Sequence, residues 1–290
     1  MGLYIVLCGI GGSGFVSPAL AGENGTLLWW GRGDFAWDEI DRVRENAETA
    51  NVDLIINEDG ESLADFLVRS NPNTWNSSAV LYWVPNHGWG WTSVGGYTIS
   101  EIAKMVEEVK KALSPYGKTL DIAVLGPCYA GNVEAMSCWA GVTDYVYGSP
   151  TVVTVSLVES WLRWIVRDWD WGPERAGNSF VDFVQNNIDF QNEEGILGGR
   201  NVLIDPQKAL DFLKKIREKN VPQSVFQALL RSEDYTSEEV SDIWNLAEYC
   251  GLTEELKSLG LFTYTPESQY WEEKERCCYL GCWSGENEEY

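Results

Sequence analysis

"VLYWVPNHGWGW", residues 80–91, contains the only histidine of the chain. A run of apolar and aromatic residues ends at Val84, and Pro85-Asn86 then leads to His87 and a glycine-rich stretch. An apolar run bounded by turn-forming residues is typical of a buried strand. Residues 121–125, "DIAVL", form a second such run, and it leads through Gly126-Pro127 to Cys128. We therefore expect a histidine and a cysteine to follow the ends of two strands.

The first half of the sequence alternates between short apolar runs and segments with helical periodicity. Strands are predicted at 26–30, 52–56, 79–84, 121–125 and 144–147, and helices at 37–50, 62–69, 98–113 and 132–140. The helix from Thr98 has a possible capping box with Glu101 and an apolar stripe at helical spacing. Such alternation with short connections predicts an α/β fold with a mostly parallel sheet flanked by helices. Sites in these sheets lie beyond the carboxyl ends of the strands, where His87 and Cys128 are expected.

The second half is predicted to be mostly helical. Helices are expected at 152–167, 179–187, 206–219, 224–230 and 238–249, with one further candidate strand at 201–204. The expected organisation is an N-terminal segment (1–25), a main domain (26–260) and an acidic, aromatic, cysteine-containing tail (261–290).

The N-terminal segment has two interpretations. Residues 3–21, "LYIVLCGIGGSGFVSPALA", end in a stretch that resembles a signal-peptide cleavage site, although the usual basic residues before it are missing. That interpretation predicts a secreted protein. The other interpretation is a buried strand at 3–8 in a cytoplasmic protein. No apolar run reaches the roughly 18 residues of a membrane span.

Composition excludes some partners. A formal net charge of −23 argues against nucleic acid, whose phosphates would be repelled. The 15 tryptophans are interpreted as core residues rather than sugar-stacking platforms. Among the seven cysteines, Cys277, Cys278 and Cys282 are a disulfide candidate, because they lack the paired C-x2-C spacing of common zinc sites.

His87 and Cys128 together have the chemistry of a cysteine peptidase. A thiolate attacks the substrate carbonyl, and an imidazole lowers the thiol pKa and protonates the leaving amine. The backbone N–H groups of Gly88 and Cys128 are candidates for the oxyanion hole. A single histidine after a strand is more often an ordinary turn residue, and a single cysteine is more often a small buried apolar residue. The peptidase hypothesis therefore depends on the two residues following neighbouring strands.

Two stretches resemble a known family. Residues 81–91 and 121–150 are similar to the catalytic segments of clostripain-family cysteine peptidases, in which one strand leads to Asn-His-Gly and another to Asp-Ala-Cys. A weaker likeness extends over residues 26 to 258. The resemblance implies a caspase-like fold, a polypeptide substrate, His87 as general acid/base and Cys128 as nucleophile. It also implies that Glu134 caps or braces the helix after the nucleophile.

The sequence departs from the family at two positions. Gly126 stands where the family has an aspartate that tends to bind a substrate arginine or lysine, and Pro150 stands where it has a glutamate. We therefore expect the basic preference to be lost, with Gly126 in the substrate pocket. Asp168 or Asp170 would restore a charge there, whereas Trp164 and its neighbours would make the pocket apolar. No cofactor is required by these residues; relatives can depend on calcium, and the sequence shows no calcium-binding loop.

The sequence is also compatible with two functions other than a peptidase. The first is a catalytically inactive relative that binds peptides or partner proteins in the same cleft. The second is a carbohydrate-binding or hydrolytic protein, which would need two carboxylates about 5 to 10 Å apart. No motif in the sequence selects such a pair.

Overall fold

A computed structural model gives the fold of the chain. It describes residues 2–3, 19–20, 25–32, 40–49, 52–75, 79–86, 88, 93–127, 130–148, 201–222, 224–225, 240–263 and 281–283. The strands are β1 (Gly2–Leu3), β2 (Ala19–Leu20), β3 (Thr26–Gly31), β4 (Asp53–Ile56), β5 (Ala79–Val84), β6 (Leu120–Leu125), β7 (Thr143–Gly148), β8 (Asn201–Ile204), β9 (Val240–Asp242), β10 (Gly260–Thr263) and β11 (Gly281–Trp283). The helices are α1 (Ile40–Thr49), α2 (Leu63–Arg69), α3 (Ile99–Leu113), α4 (Val133–Ser137), α5 (Pro206–Glu218), α6 (Ile243–Cys250) and α7 (Thr253–Lys257).

Within these ranges seven strands form the central sheet, in the order β4-β3-β5-β6-β7-β8-β10. Neighbouring strands from β4 to β7 are parallel, β8 is antiparallel to β7, and β10 is antiparallel to β8. Six strands therefore point the same way, which confirms the mostly parallel sheet. The chain passes from β3 to β4 on one side and later to β5 on the other, so the strand order reverses between β3 and β5. Ligand sites of open α/β sheets lie at such a reversal.

The core lies on both faces of this sheet, and every residue of β3 and β5 is buried. One face packs against helices α2 to α7 in a single apolar cluster. Helix α1 is outside that cluster, because right-handed crossovers place it on the opposite face from α3. The described tryptophan side chains are buried, which confirms the core interpretation for Trp29, Trp30, Trp75, Trp83 and Trp139.

Local sequence explains where several helices begin. The Thr98 hydroxyl accepts a hydrogen bond from the Glu101 N–H, and the Glu101 carboxylate accepts one from the Thr98 N–H, so the predicted capping box is confirmed. Asp205 caps α5 in the same position before Pro206, a residue that suits the first helical turn.

The second half of the chain differs from the expectation at several places. Residues 240–242, predicted as the start of a helix, form β9 and pair with β11. Gly260–Thr263 joins the central sheet as β10, so the sheet includes residues on both sides of position 260. Helix α4 ends at Ser137 rather than at residue 140.

Other expectations meet the structure only in part. β8 confirms the strand at 201–204. The predicted helices at 152–167 and 179–187, and most of 224–230, lie outside the described residues. Near the N-terminus, β1 pairs antiparallel with β2, and the rest of the 3–8 segment is also outside. In the part of the chain that is described, no helix has the length and apolar character of a membrane span.

Candidate active site

The segments that lead to His87 and Cys128 leave the sheet side by side. Strands β5 and β6 are parallel neighbours, with Trp83 opposite Leu125 at their carboxyl ends. Just beyond them, the Gly126 N–H donates a hydrogen bond to the Trp83 carbonyl at 2.9 Å. His87 and Cys128 themselves lie outside the described residues. Their described neighbours place both segments at the same edge of the sheet, as the sequence predicts.

A tight turn at residues 94–97 joins these two segments. Val94 and Tyr97 exchange backbone hydrogen bonds, and Gly95 between them has a φ of +63°. A β-carbon on Gly95 would overlap the Pro85 ring and would lie 3.0 Å from Pro127 Cγ. The Gly95 backbone therefore fills the space between the prolines that precede His87 and Cys128. Only glycine combines this positive φ with so close an approach.

The segment after Cys128 is held from the other side by β7. A β-carbon on Gly148 would come within 2.9 Å of the Ala130 carbonyl group and 3.0 Å of the Gly131 nitrogen. Because Gly148 has no side chain, the backbone of residues 130–131 can lie directly against the end of β7. The described residues on either side of Cys128 thus have close neighbours on both flanks.

Helix α4 begins immediately after this segment, and Asn132 caps it. The Asn132 Oδ1 accepts hydrogen bonds from the N–H groups of Glu134 and Ala135, at 2.9 and 3.2 Å. The side chain that caps the helix is therefore Asn132, whereas the resemblance had assigned capping or bracing to Glu134. Asparagine is among the preferred capping residues, so its position before "VEAM" was a readable signal that sequence analysis missed.

Arg32 lies at the carboxyl end of β3, next to the reversal of strand order. Its guanidinium lies over the Trp30 ring at 4.8 Å and donates hydrogen bonds to the Tyr97 hydroxyl, at 3.4 Å, and to the Glu61 carbonyl, at 3.2 Å. Tyr97 closes the turn that contains Gly95. Arg32 therefore connects the end of β3 to the turn between the two candidate catalytic segments.

Gly126, the expected pocket residue, lies against a tyrosine. A β-carbon at this position would be 2.7 Å from the Tyr82 hydroxyl oxygen and 2.9 Å from two carbons of the Tyr82 ring. Tyr82 was not singled out by sequence analysis, because its contact with Gly126 forms only when β5 and β6 pair. The remaining pocket candidates, Asp168, Asp170 and Trp164, lie outside the described residues.

Two described free thiols are poor nucleophiles. Burial, together with a smaller effect of the neighbouring Glu134 carboxylate, raises the pKa of Cys138 to about 12. Burial also raises the pKa of Cys250. Both thiols are protonated near neutral pH, and a protonated thiol does not attack carbonyls. Among the residues that the structure describes, no group of three or more His, Cys, Asp and Glu side chains is placed to hold a metal.

Comparison with solved structures identifies the fold. No family model matches the sequence, and no curated protein matches it. The structure is similar to that of an inactive zymogen C11 protease from Parabacteroides distasonis, with a TM-score of 0.61 and 14% identity over 90% of this chain and 91% of that chain. It is also similar to a secreted C11 cysteine protease from Bacteroides thetaiotaomicron in complex with an irreversible peptide inhibitor. That match has a TM-score of 0.61 and 14% identity, over 83% of this chain and 84% of that chain. The chain shares the caspase-like fold of these C11, clostripain-family proteases.

Proposed function

We propose that the chain is a clostripain-type cysteine endopeptidase, with Cys128 as nucleophile and His87 as general acid/base. One observation carries the proposal: the segments that lead to these two residues leave neighbouring parallel strands and pack on the same glycine, Gly95. The fold supports it, because the similar solved structures are C11 proteases.

The proposed reaction proceeds in two steps. The Cys128 thiolate attacks the carbonyl carbon of the scissile bond, and His87 gives a proton to the leaving amine as the carbon–nitrogen bond breaks. Water, from which His87 takes a proton, then hydrolyses the thioester and returns the free thiol. Backbone N–H groups of Gly88 and Cys128 would bind the oxyanion in both steps. Gly88 lacks a side chain, which lets the substrate carbonyl approach the backbone.

Cleavage of a diverse peptide library tests the proposal. The wild type should cut peptides, Cys128→Ala should not, and His87→Ala should lose several orders of magnitude in rate, because residues that act as a unit fail together. Cys138→Ser is the matched control. Its hydroxyl can keep the hydrogen bond that the Cys138 thiol donates to the Glu134 carbonyl, at 3.2 Å, so full activity is expected.

The same experiment separates the alternatives. Activity that persists in Cys128→Ala and resists thiol reagents would place the reaction elsewhere. A wild type that binds peptides without cutting them would instead be a peptide-binding relative. No step of the proposed reaction uses a metal; a calcium requirement remains a prediction of the resemblance, and assays with and without a chelator test it.

A further inference from the structure

Gly126 and Tyr82 occupy the face of the sheet next to the proposed nucleophile. Gly126 is two residues before Cys128. It lies on the same face of the sheet as Val124, because every second residue of a strand faces the same way. Tyr82 is the direct neighbour of Val124 on β5. Its phenol extends toward the carboxyl edge and covers the side of Gly126 from which a β-carbon would project, with the ring only 2.9 Å from that point. The phenol takes the space that a side chain at position 126 would need.

The phenol is fixed in this place by its neighbours. Tyr82 is 1% exposed, and its ring centroid is 4.3 Å from that of Trp29 on β3. Register places Trp29, Tyr82, Val124 and Tyr147 in one row across four strands. Burial raises the pKa of Tyr147 well above its ordinary value, and Tyr82 raises it further, so the Tyr147 phenol is uncharged at neutral pH. A packed row of this kind cannot move aside to admit a new side chain without strain.

We propose that Tyr82 is a specificity-determining residue of the peptidase: it excludes a carboxylate from position 126 and makes the substrate pocket beside Cys128 select uncharged rather than cationic side chains. The inference rests on the proposed peptidase function.

Charge placement in the described strands agrees with this assignment. A cationic substrate side chain in a partly buried pocket needs a carboxylate partner, because an unpaired buried charge is costly. The acidic residues of the parallel strands β4, β6 and β7, which are Asp53, Asp121 and Asp144, all lie at or near the amino ends of their strands. The proposed site is at the opposite, carboxyl edge, where Tyr82 and Gly126 meet.

A set of four proteins tests the inference: wild type, Gly126→Asp, Tyr82→Leu and Tyr82→Leu/Gly126→Asp. Leucine keeps an apolar side chain on β5 and removes the ring that covers Gly126; Tyr82→Met serves the same purpose if the leucine variant does not fold. Each protein is assayed on two fluorogenic peptides that differ only in having arginine or leucine before the cut bond. Urea unfolding of each protein reports folding separately.

The double variant should gain cleavage of the arginine peptide. Its ratio of kcat/KM for arginine over leucine should rise about 10- to 100-fold above that of the wild type, as one new charge-assisted contact provides. Gly126→Asp alone should unfold at a lower urea concentration than the wild type and should not gain cleavage of the arginine peptide. Tyr82→Leu alone should not gain cleavage of the arginine peptide either. The inference is overturned if Gly126→Asp folds like the wild type and prefers arginine, or if the double variant folds and shows no gain.

If the proposed peptidase function is wrong, the result differs from the outcomes above, because none of the four proteins then cuts either peptide. The same four proteins are then prepared with Cys128→Ala, and binding of the two peptides is measured directly. A gain in arginine-peptide affinity confined to the double variant supports the role of Tyr82, and equal affinities throughout refute it.

Discussion

Gly95 lies so close to Pro85 that the proline ring leaves no room for a β-carbon on the glycine. Pro127 is on the other side of the same backbone. We therefore predict that Gly95→Ala pushes the two segments apart and misplaces His87 relative to Cys128. A displacement of about 1 Å at reacting groups can cost about 100-fold in rate, and kcat/KM on a peptide substrate measures it.

Gly96 provides a matched control for this substitution. It also has a positive φ, of +83°, but a β-carbon there would lie 3.7 Å from the nearest atoms, which belong to Asn86. Gly96→Ala should therefore lose only about 1–2 kcal/mol of stability from its backbone conformation and should keep its catalytic rate. Equal losses of rate in both variants would show that the turn does not set the spacing of the segments.

The cap of α4 makes a second prediction. Asn132→Ala removes the acceptor for two N–H groups and should lower the free energy of unfolding by about 1 kcal/mol. Asn132→Ser keeps a side-chain oxygen that can accept one of these bonds and should lose less. Urea unfolding of the three proteins measures the difference. If alanine and serine variants were equally stable, the cap would not contribute.

Asp121 predicts a pH dependence of stability. Burial raises the pKa of its carboxyl, and the neighbouring Asp144 raises it further, although the carboxylate accepts a hydrogen bond from the Ala79 N–H. The Asp121 carboxyl therefore binds its proton more tightly in the folded protein than in the unfolded chain. Protonated Asp121 stabilises the folded state at acid pH. That contribution is lost as pH rises from the ordinary value of about 3.9 through the raised folded value.

Asp121→Asn tests this sign. The amide keeps an oxygen for the Ala79 N–H and carries no charge, so the variant should be more stable than the wild type at neutral pH. The difference should disappear at acid pH, below the ordinary value of about 3.9. Asp59→Asn, at an exposed turn, makes the same change of charge and is the control. A variant that is less stable than the wild type at neutral pH would contradict the prediction.

Much of the fold could be predicted because local signals agree with the tertiary structure. β3, β5 and β6 are nearly continuous apolar runs, as is typical of strands buried on both faces, and α3 shows both its cap and its apolar stripe. By contrast, β9 lies in a segment whose polar residues match a helical pattern. It is a strand because it pairs with β11, and no local signal reports that distant partner.

The candidate site divides in the same way. His87, Cys128 and Gly126 could be selected from their positions after predicted strands. Asn132 could have been selected as a helix cap but was missed. Gly95 and Tyr82 could not be selected from the sequence. Gly95 and Tyr82 matter through contacts that exist only after the strands and the turn come together, and the sequence shows such residues only as an ordinary glycine and an ordinary strand tyrosine.

The reactivity of Cys128 is the most direct measurement of the central claim. Alkylation by iodoacetamide is followed against pH, and peptide mapping assigns each modified cysteine. Cys128 should react well below its ordinary pKa of about 8.5, and His87→Ala should move its profile back toward that value. Cys138, whose pKa is about 12, should stay unmodified at neutral pH in both proteins. A Cys128 that reacts only near its ordinary pKa, with no change in His87→Ala, would contradict the proposed catalytic pair.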